Sequence, residues 1–152
     1  MLEIDKIDKI IIANWKLNGS IRFAEDYLKN IKFDGSNPKK CLVICPPTTL
    51  LPYIKSNKFY IGSQDCSSLV SGAYTGEISS NLLKEIGCEF SIVGHSERRS
   101  IFKETNKDIG IKISNLMNSN IIPILCVGEN LQQRKENLTK DILKDQIINS
   151  LP

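Results

Sequence analysis

Long apolar runs are missing from this 152-residue sequence. No stretch reaches the roughly 18 consecutive apolar residues of a transmembrane helix. The first residues mix acidic and basic side chains, where a secretory signal would have an apolar segment. We therefore expect no membrane association and a cytoplasmic location. The length suggests about one domain, residues 1–152.

A strong excess of charge of either sign is also lacking. Twenty Lys and Arg residues against 17 Asp and Glu residues give a formal net charge of +3, and the basic residues are scattered along the chain. This balance argues against nucleic acid or a membrane surface as a partner, but it is compatible with a small anionic substrate.

Histidine and cysteine, the usual zinc ligands, do not cluster in this sequence. The chain has one histidine and five cysteines, and only Cys41 and Cys45 lie close together. No second close pair and no nearby histidine completes a zinc ligand set, so we expect no metal site. Three of the cysteines lie in or beside apolar runs, which favours buried free thiols in a reducing compartment.

Short apolar runs alternate with longer amphipathic segments along the whole chain. The apolar runs predict five strands, which begin near residues 9, 41, 59, 89 and 121. A helix is predicted after nearly every strand, with Ser20 and Ser80 as helix caps and a capping box from Thr105 to Asp108. Strands that are apolar on both faces, the first one included, indicate a parallel sheet built from βα units. The fold class is therefore α/β, with five parallel strands in the order 1-2-3-4-5.

Residues 91–99 (SIVGHSERR) bring the single histidine to a strand end. Gly94 permits a sharp turn after the fourth strand, and His95 follows at the predicted start of a short helix. Parallel α/β folds bind ligands at the carboxyl ends of their strands. The positive amino end of a helix favours a neutral imidazole, which can donate a hydrogen bond. The alternative is a structural histidine in a charged loop.

A lysine follows the first strand in a similar way. Asn14 and Lys16 alternate with Trp15, so their side chains are predicted to point into a cleft while the indole packs. Lys16 and His95 should then meet at one end of the sheet, where a positive charge and a directional donor can stabilise an oxyanion. A lysine on the surface of a βα loop is the alternative.

A general base is harder to assign. Glu97 is a candidate by its position, but the cations Lys16, Arg98 and Arg99 are expected beside it. They would stabilise the carboxylate and weaken it as a base, so a role in a network through Lys16 is preferred.

Five sequence blocks resemble the triosephosphate isomerase family, in its order and spacing. They are residues 14–19 (NWKLNG), Gln64, residues 72–77 (GAYTGE), residues 94–99 (GHSERR) and residues 123–129 (PILCVGE). The resemblance implies a (β/α)₈ barrel that interconverts dihydroxyacetone phosphate and glyceraldehyde 3-phosphate without a cofactor. A neutral histidine electrophile beside a glutamate base is the documented pattern for this enzyme, and the neutral imidazole expected for His95 is an instance of that pattern.

The resemblance also assigns roles to the strand-end residues. It implies that Asn14 and Lys16 contact the substrate, that His95 polarises the carbonyl, and that Glu97 is the acid beside the lysine. His95, Lys16 and Glu97 are therefore the catalytic candidates. Cys126 resembles a buried cysteine of the family that serves stability.

The long polar segment of residues 64–79 is too long for an ordinary connection and is expected to be functional or interfacial. It resembles the dimer loop of the family and includes Thr75, Gly76 and Glu77, with Thr75 reaching towards the active site of the neighbouring subunit. A homodimer is thus implied, together with a structural ion pair between Arg98 and Glu104.

The resemblance covers the chain but only the first five βα units of a family whose members run to about 250 residues. The strand with the catalytic glutamate, the lid after it and the glycine-rich phosphate loops have no counterpart in the 152 residues. The expected fold is an incomplete (β/α)₈ barrel with helices outside and two bare edges. We expect such a chain to fold marginally and to be inactive alone.

Three interpretations remain. The chain is the amino-terminal part of a triosephosphate isomerase, either as a gene remnant or as one piece of a split enzyme that a second chain completes. It is instead a non-catalytic interaction module that keeps the dimer loop. A doubly wound α/β binding protein is disfavoured, because no glycine-rich nucleotide loop opens the first helix.

Overall fold

Short apolar segments form one parallel sheet in the computed structural model, which describes residues 4–152. Within that range the sheet has five strands in the order β1-β2-β3-β4-β5. The strands are β1 (Lys9–Asn14), β2 (Lys40–Cys45), β3 (Tyr60–Ser63), β4 (Phe90–Val93) and β5 (Ile122–Leu125). The sheet curls into a partial barrel with helices alongside, which confirms the predicted fold class.

Helices follow the strands on one side of the sheet. Their bounds are α1 (Ile21–Asn30), α2 (Ser80–Glu85), α3 (Ser96–Ser100), α4 (Asn106–Asn118), α5 (Leu131–Lys135) and α6 (Thr139–Ser150), with a 3₁₀ segment at Thr48–Tyr53. Ser20 caps α1 as predicted, since its hydroxyl accepts the N–H of Phe23 at 3.1 Å. The capping box of α4 is also confirmed. Ser79, one residue earlier than predicted, caps α2.

The buried side chains form two groups, one on each face of the sheet. The larger group combines strand residues such as Ile44 and Val93 with helix residues such as Ala24 and Leu83, so it lies between the sheet and the helices. The smaller group contains only strand residues, namely Cys41, Val43, Cys45, Phe90 and Ile92. It occupies the face that would line the inside of a closed barrel.

The cysteines are free thiols and most are buried, as the sequence predicts. Burial raises the pKa of the Cys45, Cys66 and Cys88 thiols to about 12. These groups therefore stay protonated near neutral pH and pack as small apolar side chains. Cys126 is only partly buried.

The first strand is not buried, so the prediction of burial on both faces is wrong for β1. Ile10, Ile11 and Ile12 are 39%, 49% and 40% exposed. In residues 4–152, β1 pairs with β2 and with no strand on its other side. By contrast β2, which has a strand on each side, is buried from Cys41 to Cys45.

The open edge of β1 also presents unpaired backbone groups. Trp15 donates its N–H to the carbonyl of Cys45 at 3.0 Å, so the alternation along the strand turns the N–H groups of Ile10 and Ile12 away from β2. A long apolar edge of this kind is prone to pair with other chains.

We expect the substitution Ile11→Lys to reduce self-association, because a charge on an edge strand opposes pairing between edges. The free energy of unfolding should change by no more than about 1 kcal/mol, since Ile11 is already half exposed. Light scattering after size exclusion measures the effect. The matched control Ile101→Lys changes a side chain that is 67% exposed and lies outside β1. Equal suppression by both variants would show that net charge, and not the edge, is responsible.

Among the helices of residues 4–152, none has the length and apolarity needed to cross a bilayer.

Candidate active site at the carboxyl ends of the strands

The turn after β1 sets the position of Lys16. The side-chain oxygen of Asn14 accepts the backbone N–H of Lys16 at 2.9 Å, and Lys16 adopts a left-handed backbone with φ +53°. Trp15 packs edge-on against Phe23 and Tyr27, with ring centroids 5.0 and 5.1 Å away. The predicted packing of the indole is thus confirmed, and the lysine is turned out at the strand end.

Gln64, which directly follows β3, holds this turn across β2. Its side-chain amide donates to the carbonyls of Lys16 and Cys45, at 2.8 and 2.9 Å. Because a left-handed backbone costs roughly 1 kcal/mol or more for a non-glycine residue, it persists only where surrounding contacts hold it. Gln64 supplies one of those contacts.

His95 lies at the end of β4 and caps α3, as predicted. Gly94 before it has φ +66°, and a Cβ there would come within 2.9 Å of the Arg99 guanidinium. The Nδ1 atom of His95 accepts the backbone N–H of Glu97 at 3.4 Å. A backbone N–H can only donate, so this bond assigns the lone pair to Nδ1 and the ring proton to Nε2.

Glu97 joins the lysine to the histidine. Its Oε1 atom accepts from Lys16 Nζ at 2.7 Å, and its backbone N–H is the donor to His95 Nδ1. Its Oε2 atom lies 3.3 Å from Nδ1 without a hydrogen bond, because both atoms are acceptors in this tautomer. We call Lys16, His95 and Glu97 the strand-end trio. The structure brings all three together at one end of the sheet, and Lys16 and Glu97 remain about half exposed there.

The charge on Glu97 is fixed by Lys16. The hydrogen bond from this lysine lowers the pKa of Glu97, so the carboxylate stays ionised at neutral pH and is a weak base. The expectation that Arg98 and Arg99 also flank it is wrong. Arg98 bonds Asp65 and Glu104, and Arg99 donates to the carbonyl of Gly94 at 2.8 Å.

A small cavity of about 240 Å³ lies beside His95. It is lined by α3 and by the segment after β5, and its lining includes Arg99, Cys126 and Glu129. Cys126 is only partly buried, so its expected placement as a buried cysteine is not met. The reason is that β5 is the last strand of the sheet and is only partly covered.

The dimer-loop residues lie apart from this group. Thr75, Gly76 and Glu77 are exposed, in a turn that Glu77 closes with a 3.1 Å bond to the carbonyl of Tyr74. Within the described residues, none of the three bonds to the strand-end trio. Their assignment to a dimer loop stays a prediction.

The predicted ion pair between Arg98 and Glu104 is present, but sequence reasoning missed Asp65 and Lys112, which extend it into a group of four charges next to the trio. Lys112 is only 5% exposed and bonds Asp65 through both carboxylate oxygens, at 2.8 and 2.9 Å. The sequence did contain a signal, since Lys112 occupies the apolar face of α4 between Ile109 and Leu116. A lysine at such a position requires a buried partner.

Across the part of the chain that the structure describes, no group of three or more His, Cys, Asp or Glu side chains is placed to hold a metal ion.

The comparison with known protein families agrees with this arrangement. The family model described as triosephosphate isomerase matches residues 9–152. The chain belongs to the triosephosphate isomerase family. The resemblance predicted from the sequence is therefore confirmed.

Individual members of the triosephosphate isomerase family are similar over most of this chain. The triosephosphate isomerase of Wolbachia sp. subsp. Brugia malayi is 42% identical over 146 residues, which are 94% of this chain and 61% of the relative. That of Buchnera aphidicola subsp. Cinara cedri is 42% identical over 149 residues, which are 93% of this chain and 59% of the relative. The crystal structure of triosephosphate isomerase from Bartonella henselae superposes with a TM-score of 0.86 at 35% identity, over 94% of this chain and 61% of that one. The chain thus spans about 60% of the length of these relatives.

Proposed function

We propose that this chain supplies the first five βα units of a triosephosphate isomerase, which interconverts dihydroxyacetone phosphate and glyceraldehyde 3-phosphate. The observation that carries the proposal is the strand-end trio, in which Glu97 bonds the lysine through its carboxylate and the histidine through its backbone N–H. The proposed enzyme acts in the cytoplasm, in glycolysis and gluconeogenesis. It works as a homodimer, or with a second chain that completes the barrel.

Each member of the trio has a distinct chemical part in this proposal. Lys16 provides a positive charge near the substrate oxygens, and Asn14 shapes the turn that presents it. His95 donates from Nε2 to the carbonyl oxygen and stabilises the enediolate as negative charge builds on that oxygen. Glu97 orients the other two and stays ionised, so it does not abstract the substrate proton.

The proton is removed by a glutamate that the resemblance places in the remaining 40% or so of the family's length. The 152 residues are accordingly proposed to be inactive alone. A missing general base costs roughly 10² to 10⁴ in rate, and the loss of a closing lid and of phosphate-binding loops adds to that.

We expect the purified 152-residue chain to give no more turnover than buffer in a coupled assay for glyceraldehyde 3-phosphate formation. The variant His95→Gln is the matched control, because a contaminating isomerase from the expression host would be unaffected by it. Turnover that the substitution abolishes would contradict the proposal, since it would show that a base is present within these residues.

A non-catalytic interaction module is the second candidate. It is favoured by the apolar surface of the long loop, where Val70 and Tyr74 are 53% and 49% exposed. With Leu69 and Leu82 they border a cavity of about 390 Å³. A stable complex that forms through this loop, without any gain of isomerase activity, would favour the module over the enzyme.

A further inference from the structure

We propose that a partly buried group of four charged side chains positions the strand-end trio, by tying together the two segments that hold it. We call this group the charge cluster. Its members are Asp65, Arg98, Glu104 and Lys112. They are positioning residues, and the inference rests on the function proposed for the trio.

The charge cluster is neutral overall and closely bonded. Arg98 Nε lies 2.8 Å from a carboxylate oxygen of Asp65 and 2.5 Å from one of Glu104. Lys112 Nζ bonds the same two carboxylates. Burial raises the pKa of Asp65, and the charge of Lys112 opposes that rise. Two cations and two carboxylates thus pair around the buried Lys112, while Glu104 Oε2 is buried without a hydrogen-bond partner among the described residues.

The cluster joins the two halves of the site. Arg98 follows Glu97 in α3, the helix that His95 caps, so fixing Arg98 fixes the helix that carries two members of the trio. Asp65 follows Gln64, whose amide holds the carbonyl of Lys16 at 2.8 Å. The pair Arg98 and Asp65 therefore sets the distance between the segment that holds Lys16 and the helix that holds Glu97.

Helix α4 provides the rigid base for this connection. Lys112 projects from its buried face to Asp65. One turn later Asn115 donates to the carbonyl of Ser68 at 2.9 Å, which attaches the start of the long loop to the same helix. Both bonds would have to break for the Gln64 segment to shift relative to α4.

The geometry of the trio depends on that distance. Glu97 accepts from Lys16 Nζ through its side chain at 2.7 Å and donates its backbone N–H to His95 Nδ1 at 3.4 Å. The bond to Nδ1 is long, so a small displacement of α3 breaks it. Loosening the cluster is therefore expected to release Nδ1 from that N–H, which holds the ring proton on Nε2. Nδ1 is then left facing the Glu97 carboxylate oxygen 3.3 Å away, which favours a proton on Nδ1.

The single histidine makes this measurable without any enzyme activity. The test compares the ¹⁵N resonances of the two imidazole nitrogens of His95 in the 152-residue chain, near neutral pH. The charge-balanced double variant Asp65→Asn with Lys112→Met removes one cation and one carboxylate, and keeps the pair of Arg98 and Glu104. We expect well separated resonances in the native chain and a smaller separation in the variant, as the two tautomers mix.

The chain offers a matched control. Asp8 and Lys39 form a surface pair 3.5 Å apart, with both side chains about two-thirds exposed. The double variant Asp8→Asn with Lys39→Met makes the same change of charge and composition and should leave the resonances unchanged. Lys112→Arg, which keeps the cation, should retain most of the native separation. A folded cluster variant with native resonances would overturn the proposal and leave the cluster a purely structural feature.

If the double variant of the cluster does not fold, its His95 resonances will match those of the native sequence in denaturant. The isosteric single variant Asp65→Asn then decides the question, because Lys112 and Arg98 both keep their bonds to Glu104. A reduced separation in this folded variant supports the proposal, and an unchanged one overturns it. Since the measurement reads the ring directly, an inactive complex in the isomerase assay would count against the proposed function and not against the cluster.

Discussion

Isomerase activity is expected to appear when this chain is mixed with a second polypeptide that carries the last three βα units of a related triosephosphate isomerase. The gain over either chain alone should be at least about 10² to 10⁴-fold, because the second chain supplies the general base. The lid and the phosphate-binding loops should raise it further. A coupled assay measures the gain, and sedimentation measures the complex.

The two edges of the sheet are the expected contact sites. The open edge of β1 presents the N–H groups of Ile10 and Ile12, with their apolar side chains exposed. The edge of β5 is weaker as a hydrogen-bonding partner. Ile122 donates to Glu89 in the direction of β4, so Pro123 faces the open side, where it has no N–H to offer. Pairing at β1 should therefore provide more of the backbone bonds that hold the complex.

The control for this experiment is a second polypeptide in which the base glutamate is replaced by glutamine. It should form the same complex and solubilise the chain equally well, with no activity. A soluble one-to-one complex of the unmodified chains that remains inactive would contradict the proposal of a split enzyme.

Much of the fold could be predicted because each local signal agrees with its neighbours. Hydrophobic runs bounded by turn residues placed the strands to within about two residues, and Thr105 with Asp108 placed the start of α4. Burial in β1 could not be predicted from its composition. A run of isoleucines specifies a strand that can be buried on both faces. The burial itself also needs a strand on each side of β1, and within residues 4–152 only β2 pairs with it.

The same distinction applies to the site. His95 and Lys16 were predictable, because the end of a parallel strand is a fixed place in the fold. The sequence places Met117 on one helical face with Ile109, Ile113 and Leu116. In the structure Met117 is 58% exposed, and Lys112 is buried with the other three. Contacts with Asp65 and Glu104 make the buried lysine favourable. Asp65 is distant in the chain and Glu104 lies before the start of α4, so the helical pattern does not reveal either contact. Side-chain polarity alone would bury Met117 and expose Lys112, which is the reverse of what the structure has.

Replacing the histidine should remove most of the activity that the completed enzyme has. In the complex with the second polypeptide, His95→Gln is expected to lower kcat by about 10² to 10³-fold, the usual cost of losing one donor aimed at a developing oxyanion. KM should change little, since the donor acts mainly when charge has built up on the substrate oxygen. The reason lies in the orientation of the ring. His95 Nδ1 accepts the N–H of Glu97 at 3.4 Å, which leaves Nε2–H free to donate, and a glutamine amide lacks this fixed geometry.

Lys103→Gln is the matched control for that substitution. Lys103 is exposed and follows α3, and its amine bonds the carbonyl of Ser100, so the variant changes a polar side chain near the helix and outside the trio. Its kcat should stay within about twofold of the unmodified complex, as for surface substitutions away from a site. Sedimentation of the His95→Gln complex separates the two causes of a low rate, because a catalytic loss leaves the complex assembled. Full turnover by an assembled His95→Gln complex would show that the carbonyl is polarised by Lys16 alone, and that the imidazole has only a structural part in holding α3.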